Sequence, residues 1–148
     1  MKIIANNKKA TFDYDISLKI NSGLVLTGSE VKSLRNNSSS IKEAYVEEKN
    51  GELWLCNCFI KKYHSSVDKE LNPNRQRKLL ISKKEISKLI GSIKKEGFTI
   101  VPISMYFNEN GLVKLNIGLG RGKKKYDKRQ SQKLKDWNKS KQRLLKNN

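Results

Sequence analysis

One histidine, His64, and two cysteines, Cys56 and Cys58, are the only imidazole and thiols in this 148-residue chain. A structural zinc site needs four such ligands, and nucleophilic hydrolysis needs a nucleophile with its base at recognisable spacing. The acids Asp13, Asp15, Glu30, Glu43, Glu47 and Glu48 are scattered, with no spacing that marks a general acid and base pair. Gly118, Gly120 and Gly122 form G-x-G-x-G, but a lysine run follows them where a dinucleotide fingerprint needs the helix of a βαβ unit. The expectation for them is a flexible exit from the fold that lets the backbone approach phosphates. Cys56 and Cys58, in step with Trp54, are expected on one strand face as half-buried core positions, without metal or disulfide. No cofactor is expected, and the chain is not expected to be an enzyme.

These residue types are suited to holding a polyanion. Thirty-two Lys and Arg stand against fourteen Asp and Glu, a net charge of +18. Residues 121 to 148 carry twelve of those cations and two aspartates, so more than half of the net charge lies in a short tail. Lys123, Lys124 and Lys125 begin that run. Such a segment repels itself, buries too little apolar surface to fold alone, and binds polyanions by releasing their counterions. Nucleic acid is therefore the leading partner. No run of about 18 apolar residues is present to span a membrane, and the N-terminus lacks a secretory pattern, so a cytosolic location is expected. The organisation expected is one domain over 1–120 and a basic tail over 121–148.

Elements must position these cations. Phe12 to Ile20 is β-compatible and Gly23 to Leu26 reads as a second short strand. In SEVKSLRNN, Val31 and Leu34 are three apart, which predicts a short helix showing Lys32 and Arg35 to solvent or to RNA. Asn50-Gly51 between β-rich arms predicts a hairpin, because both central residues of its turn need positive φ. HSSVDKELNPNRQ reads as a long loop, and Arg75, Arg77 and Lys78 sit where it re-enters the fold, a common place for phosphate contacts or for pairing with nearby acids. In RKLLI, Leu79 and Leu80 must point to opposite faces of a strand, so one is expected to be exposed. Ser82 and Glu85 fit a capping box for a helix with Ile86, Leu89, Ile90 and Ile93 on one face, ending near Gly97. A second hairpin is expected around Asn108 to Gly111, with Pro102 on an edge or at a bulge. Six or seven short strands and two helices favour a small, closed or nearly closed antiparallel β-barrel, for which the oligonucleotide-binding fold is the natural candidate. In the tail, Leu134, Trp137, Leu144 and Leu145 fall on a narrow stripe if helical, which predicts disorder when free and a helix when bound.

NKKATFDYDI, GLVLTGSEVKSLRNN, GELWLCNCFIKKY, NPNRQRKLLISKKEI and GKKKYDKR, in this order and followed by a basic tail, resemble the SsrA-binding protein family from about Asn7 to the C-terminus. The resemblance implies a non-enzymatic adaptor of oligonucleotide-binding fold. Its barrel would hold the tRNA-like domain of transfer-messenger RNA, and its tail would enter the empty messenger channel of a stalled ribosome near the decoding centre. It also implies RNA contacts at Asn7 and Leu80. Asn21 stands where a glutamate is usual, a departure that puts one expected contact in doubt. The family's tail signature falls on Asp127, Lys128 and Arg129, preceded by Tyr126, and its later helical segment on Lys133 to Lys146, which includes Trp137, Arg143 and Leu144. Two other classes remain open at this point: a structural ribosomal protein, which would lose most RNA affinity with its tail, and a small nuclease, for which no catalytic set is present.

Overall fold

The computed structural model describes residues 1–36, 39–63, 72–123 and 132–140. The elements run β1 (Lys2–Asn6), α1 (Lys8–Asp13), β2 (Tyr14–Leu24), α2 (Gly28–Asn36), β3 (Tyr45–Lys49), β4 (Glu52–Cys56), β5 (Arg77–Leu80), α3 (Lys83–Glu96), β6 (Thr99–Phe107) and β7 (Val113–Gly122). A further helix, α4, covers 132–140. All seven strands join one antiparallel sheet in the order β1-β6-β7-β2-β5-β4-β3. The sheet curls so that β3 approaches β6, but among the described residues no ladder joins them, so hydrogen bonds do not close it. Alternation drives the curl: Leu53 and Leu55, Leu79, Met105, and Leu115, Ile117 and Leu119 all point into one core, against Leu34 of α2 and Leu89 of α3.

Several expected features stand. Asn50 and Gly51 take φ of 52° and 79° at the β3–β4 turn. Ser82 accepts the Glu85 amide at 3.2 Å and Gly97 closes α3 in the left-handed region. Pro102 lies at a bulge between Pro102 and Ser104. Leu79 is buried while Leu80 is 54% exposed.

Others are corrected. β1 and α1 lie where no element was expected, and β2 is one strand of eleven residues instead of two. Asn21-Ser22-Gly23 reads like a turn, yet β7 pairs with all three residues and β5 pairs with Gly23, so the ladders hold the segment straight. Cys58 does not share a face with Cys56: Asn57 adopts φ 58°, which ends the alternation and turns Cys58 into the core beside Leu55. Burial raises the pKa of both thiols. The glycines of G-x-G-x-G are no loose exit either, since they belong to β7. A Cβ on Gly118 would stand 2.7 Å from Ile103 Cδ1 and 2.8 Å from Ile16 Cγ2, so this position is bare to let two isoleucines cross the strand. α4 lies within the tail segment expected to be helical, with Gln132 donating to Asp136 at 3.1 Å and the Lys135 ammonium 5.0 Å from the Phe12 ring centroid. No described helix is long and apolar enough to cross a membrane.

Candidate nucleic-acid interface

α2 begins the interface. Glu30, Ser33 and Leu34 are buried, whereas Lys32 and Arg35 face solvent. The helix is held down through Glu30, which is only 3% exposed. Its carboxylate accepts from the Thr27 amide at 2.9 Å, from Arg77 Nε at 2.9 Å and Nη2 at 2.6 Å, and from Arg75. Burial pushes the carboxyl pKa up, but Arg75, the Thr27 amide and Arg77 outweigh it and hold the group below its ordinary value. Arg77 also donates to the carbonyls of Pro73, at 2.9 Å, and Cys58. One acid thus ties α2 to β5, to the end of β4 and to the segment entering β5.

Pairing with nearby acids, one of the two readings open for the loop cations, is what the structure shows for all three. Arg77 is fully buried, donating to Glu30 and to the carbonyls of Cys58 and Pro73, so its guanidinium holds α2 in place from beneath the surface. Arg75 is paired with the same acid and keeps a side chain 27% exposed. Lys78, 39% exposed, pairs with Glu52 at 3.2 Å on the outer face of the sheet. Asn7 is likewise internal: its side chain caps α1 by accepting from the Ala10 amide at 3.2 Å and donates to the Pro102 carbonyl at 3.0 Å. What this cap presents outward is Lys8 and Lys9, two exposed cations that the sequence reading passed over.

Beside α2 lies a groove of about 470 Å³, lined by Gly23, Leu80 and Arg35 on one side and by Leu112 and Lys114 of the β6–β7 turn and β7 on the other. Leu80 and Leu112 are more than half exposed, an unusual placement for leucine that leaves apolar surface flanked by two cations. An unstacked base could lie against the leucines while its phosphates meet Arg35 and Lys114. Asn21, exposed on β2, lies two residues from Gly23 on the same sheet face. Lys32 stands 5.9 Å from the Tyr63 ring centroid. Lys114 and Leu112 were missed because a hairpin turn far along the chain gives no local sign that it faces α2.

Toward the tail, the Lys123 amide donates to the Asp13 carbonyl at 2.9 Å, which starts the extension beside α1. Lys133, Leu134 and Trp137 lie on the exposed surface of α4. Lys124, Lys125, Tyr126, Asp127, Lys128, Arg129, Arg143, Leu144 and Leu145 lie outside the described residues, as do His64 and most of the long loop. Among the described residues, no group of three or more His, Cys, Asp or Glu could hold a metal ion.

Comparison with known proteins decides the family. The family model described as SmpB protein matches residues 4–147. The chain belongs to the SmpB family. The SsrA-binding protein of Ehrlichia canis (strain Jake) is 53% identical over 148 residues, covering all of both chains. That of Wolbachia sp. subsp. Brugia malayi (strain TRS) is also 53% identical, over the whole of this chain and 99% of its own. A chain of the solved structure "tmRNA-SmpB: a journey to the center of the bacterial ribosome" superposes with a TM-score of 0.65 at 39% identity, over 81% of this chain and 84% of that one. The resemblance read from the motifs therefore stands, and so does the oligonucleotide-binding-like fold expected for the SmpB family. The curled sheet is that fold without a hydrogen-bonded seam.

Proposed function

We propose that this SmpB-family chain is an RNA-binding adaptor that binds the tRNA-like domain of transfer-messenger RNA and delivers it to stalled bacterial ribosomes for rescue by trans-translation. The observation that carries this reading is full-length likeness, at about half identity, to proteins named for SsrA binding, together with a solved neighbour named for tmRNA, SmpB and the ribosome. The geometry agrees in kind: a groove with leucine walls and cationic ends suits an unstacked base, as tRNA-like folds offer at their loops. Arg35, Lys114 and Leu80 contact the RNA, while Asn7 and Arg77 hold the elements that carry such contacts. The tail, with Asp127, Lys128, Arg129, Trp137 and Leu144, occupies the empty messenger channel near the decoding centre and is helical there. The protein performs no catalysis and works in the cytoplasm, where ribosomes are.

The test is binding of the full chain, and of a chain ending at Lys125, to the tRNA-like domain, an ordinary tRNA and an unstructured RNA across a salt series. Tight binding to the tRNA-like domain that survives tail removal and elevated salt is the expected result. Equal, tail-dependent, salt-labile binding to all three would leave a basic ribosomal protein in its place.

A further inference from the structure

We propose that a row of uncharged polar side chains across the outer sheet face reads unpaired RNA bases, with Tyr106 in the neighbouring row as a ring on which a base stacks. This rests on the RNA-binding reading above and adds Asn6, Ser104, Asn116 and Tyr106 to a surface on which Asn21 and Leu80 were already candidates.

The register places the row. Asn6 of β1 pairs with Ser104 of β6, Ser104 with Asn116 of β7, and Asn116 with Asn21 of β2. Directly opposed residues of antiparallel strands point to the same face, with Cβ atoms about 5 Å apart. Their chain neighbours Ala5, Met105, Leu115 and Ser22 are buried, so these four point outward. The next row on the same face, two residues along β6, β7 and β2, runs Ile3, Tyr106, Lys114, Gly23 and Leu80. It ends at the groove beside α2, so the two rows and the groove form one continuous surface.

The chemistry follows from what these side chains lack. The side chains of Asn6, Ser104, Asn116 and Asn21 make no hydrogen bond with any described residue, and strands disfavour asparagine because it packs poorly. A sheet face built only for solubility would use lysine, glutamate or threonine, which strands tolerate better or which carry charge. Three carboxamides and a hydroxyl side by side instead offer several donors and acceptors without net charge. Such a set attracts no phosphate in particular; it complements the Watson–Crick edge of a base that is not already paired. An A-form duplex hides those edges, so the row should ignore it. Tyr106 supplies the flat surface that single-stranded recognition requires, and Lys114 beside it in the same row meets the backbone.

The experiment uses the full-length chain with Asn116→Ala, Tyr106→Ala and Tyr106→Phe, titrated with the tRNA-like domain of transfer-messenger RNA and with an uninterrupted RNA duplex of equal length. Asn116→Ala and Tyr106→Ala should each weaken binding to the tRNA-like domain by about tenfold or more, as loss of one base contact does. Tyr106→Phe keeps the ring and should stay within about twofold. Duplex binding and the dependence on salt should not change, because no charge has been removed. If Asn116→Ala and Tyr106→Ala keep wild-type affinity while wild type still prefers the tRNA-like domain, the row is overturned and the adaptor reading survives. Equal losses on the duplex also overturn the row. A wild-type chain that binds both RNAs equally overturns the adaptor reading and the row with it. Should Tyr106→Ala fail to fold, Asn116→Ala decides, since its side chain supports nothing inside the protein.

Discussion

Glu30 is the residue on which the seating of α2 depends, because it accepts hydrogen bonds from two guanidinium groups and a backbone amide from inside the fold. Removing it leaves Arg77 charged and buried without its partner, so Glu30→Ala should cost about 3–5 kcal/mol in urea unfolding. The same pair sets a pH dependence. The folded carboxyl lies below its ordinary pKa of 4.5. Its stabilisation is therefore complete above that value and is lost as pH falls through the lowered folded value. An acid titration followed by circular dichroism should show that loss in wild type and not in Glu30→Ala. Little of this was legible beforehand. The loop cations were seen as a cluster, but nothing in SEVKSLRNN says that its glutamate points inward, since one helical turn has a buried and an exposed place for either charge.

Among the elements, α3 was readable end to end and β2 was not. Ser82, the i, i+3, i+4, i+7 isoleucines and leucine, and Gly97 are local signals, and each acts through bonds or contacts within one helix. Replacing the cap should show this: Ser82→Ala removes the acceptor for the Glu85 amide and should destabilise the fold by about 1 kcal/mol, read from the urea midpoint at unchanged m-value. β2 runs through Asn21-Ser22-Gly23 because β7 and β5 flank it, and β1 is a strand because β6 offers it an edge. α1 is six residues long, too short to be stable alone, and stands because Asn7 ties it to the Pro102 carbonyl. In each case the stabilising partner is distant in sequence, and periodicity cannot report it.

At the scale of the whole molecule, charge and structure divide the chain differently from its length. The sheet continues to Gly122, two residues past the boundary expected at 120, and Lys123 is still hydrogen-bonded to Asp13. A chain ending at Lys125 should therefore keep its fold and its melting temperature within about 2 °C, since the described core cluster lies entirely before that residue. It should still bind the tRNA-like domain yet fail to support peptide tagging on stalled ribosomes. Alanine at Asp127, Lys128 and Arg129 together should reproduce the tagging defect. In vitro tagging assays on the two variants check both points, and normal tagging by the triple variant would mean that general tail charge suffices.

The sequence by itself determined the residue inventory, the charge partition, the hairpin turns, the capped helix and, through five motifs in order, the family. All of these are carried by composition or by neighbours a few positions apart, and short-range chemistry is written directly in residue order. Only the tertiary structure decided which cations are spent inside, as with Arg75 and Arg77 on Glu30, and which face outward. It alone placed Asn6, Ser104, Asn116 and Asn21 in one line, because strand register joins residues as much as 98 and 95 positions apart by backbone hydrogen bonds. Pairing of that range depends on how the whole sheet curls around its core, and no local pattern encodes it.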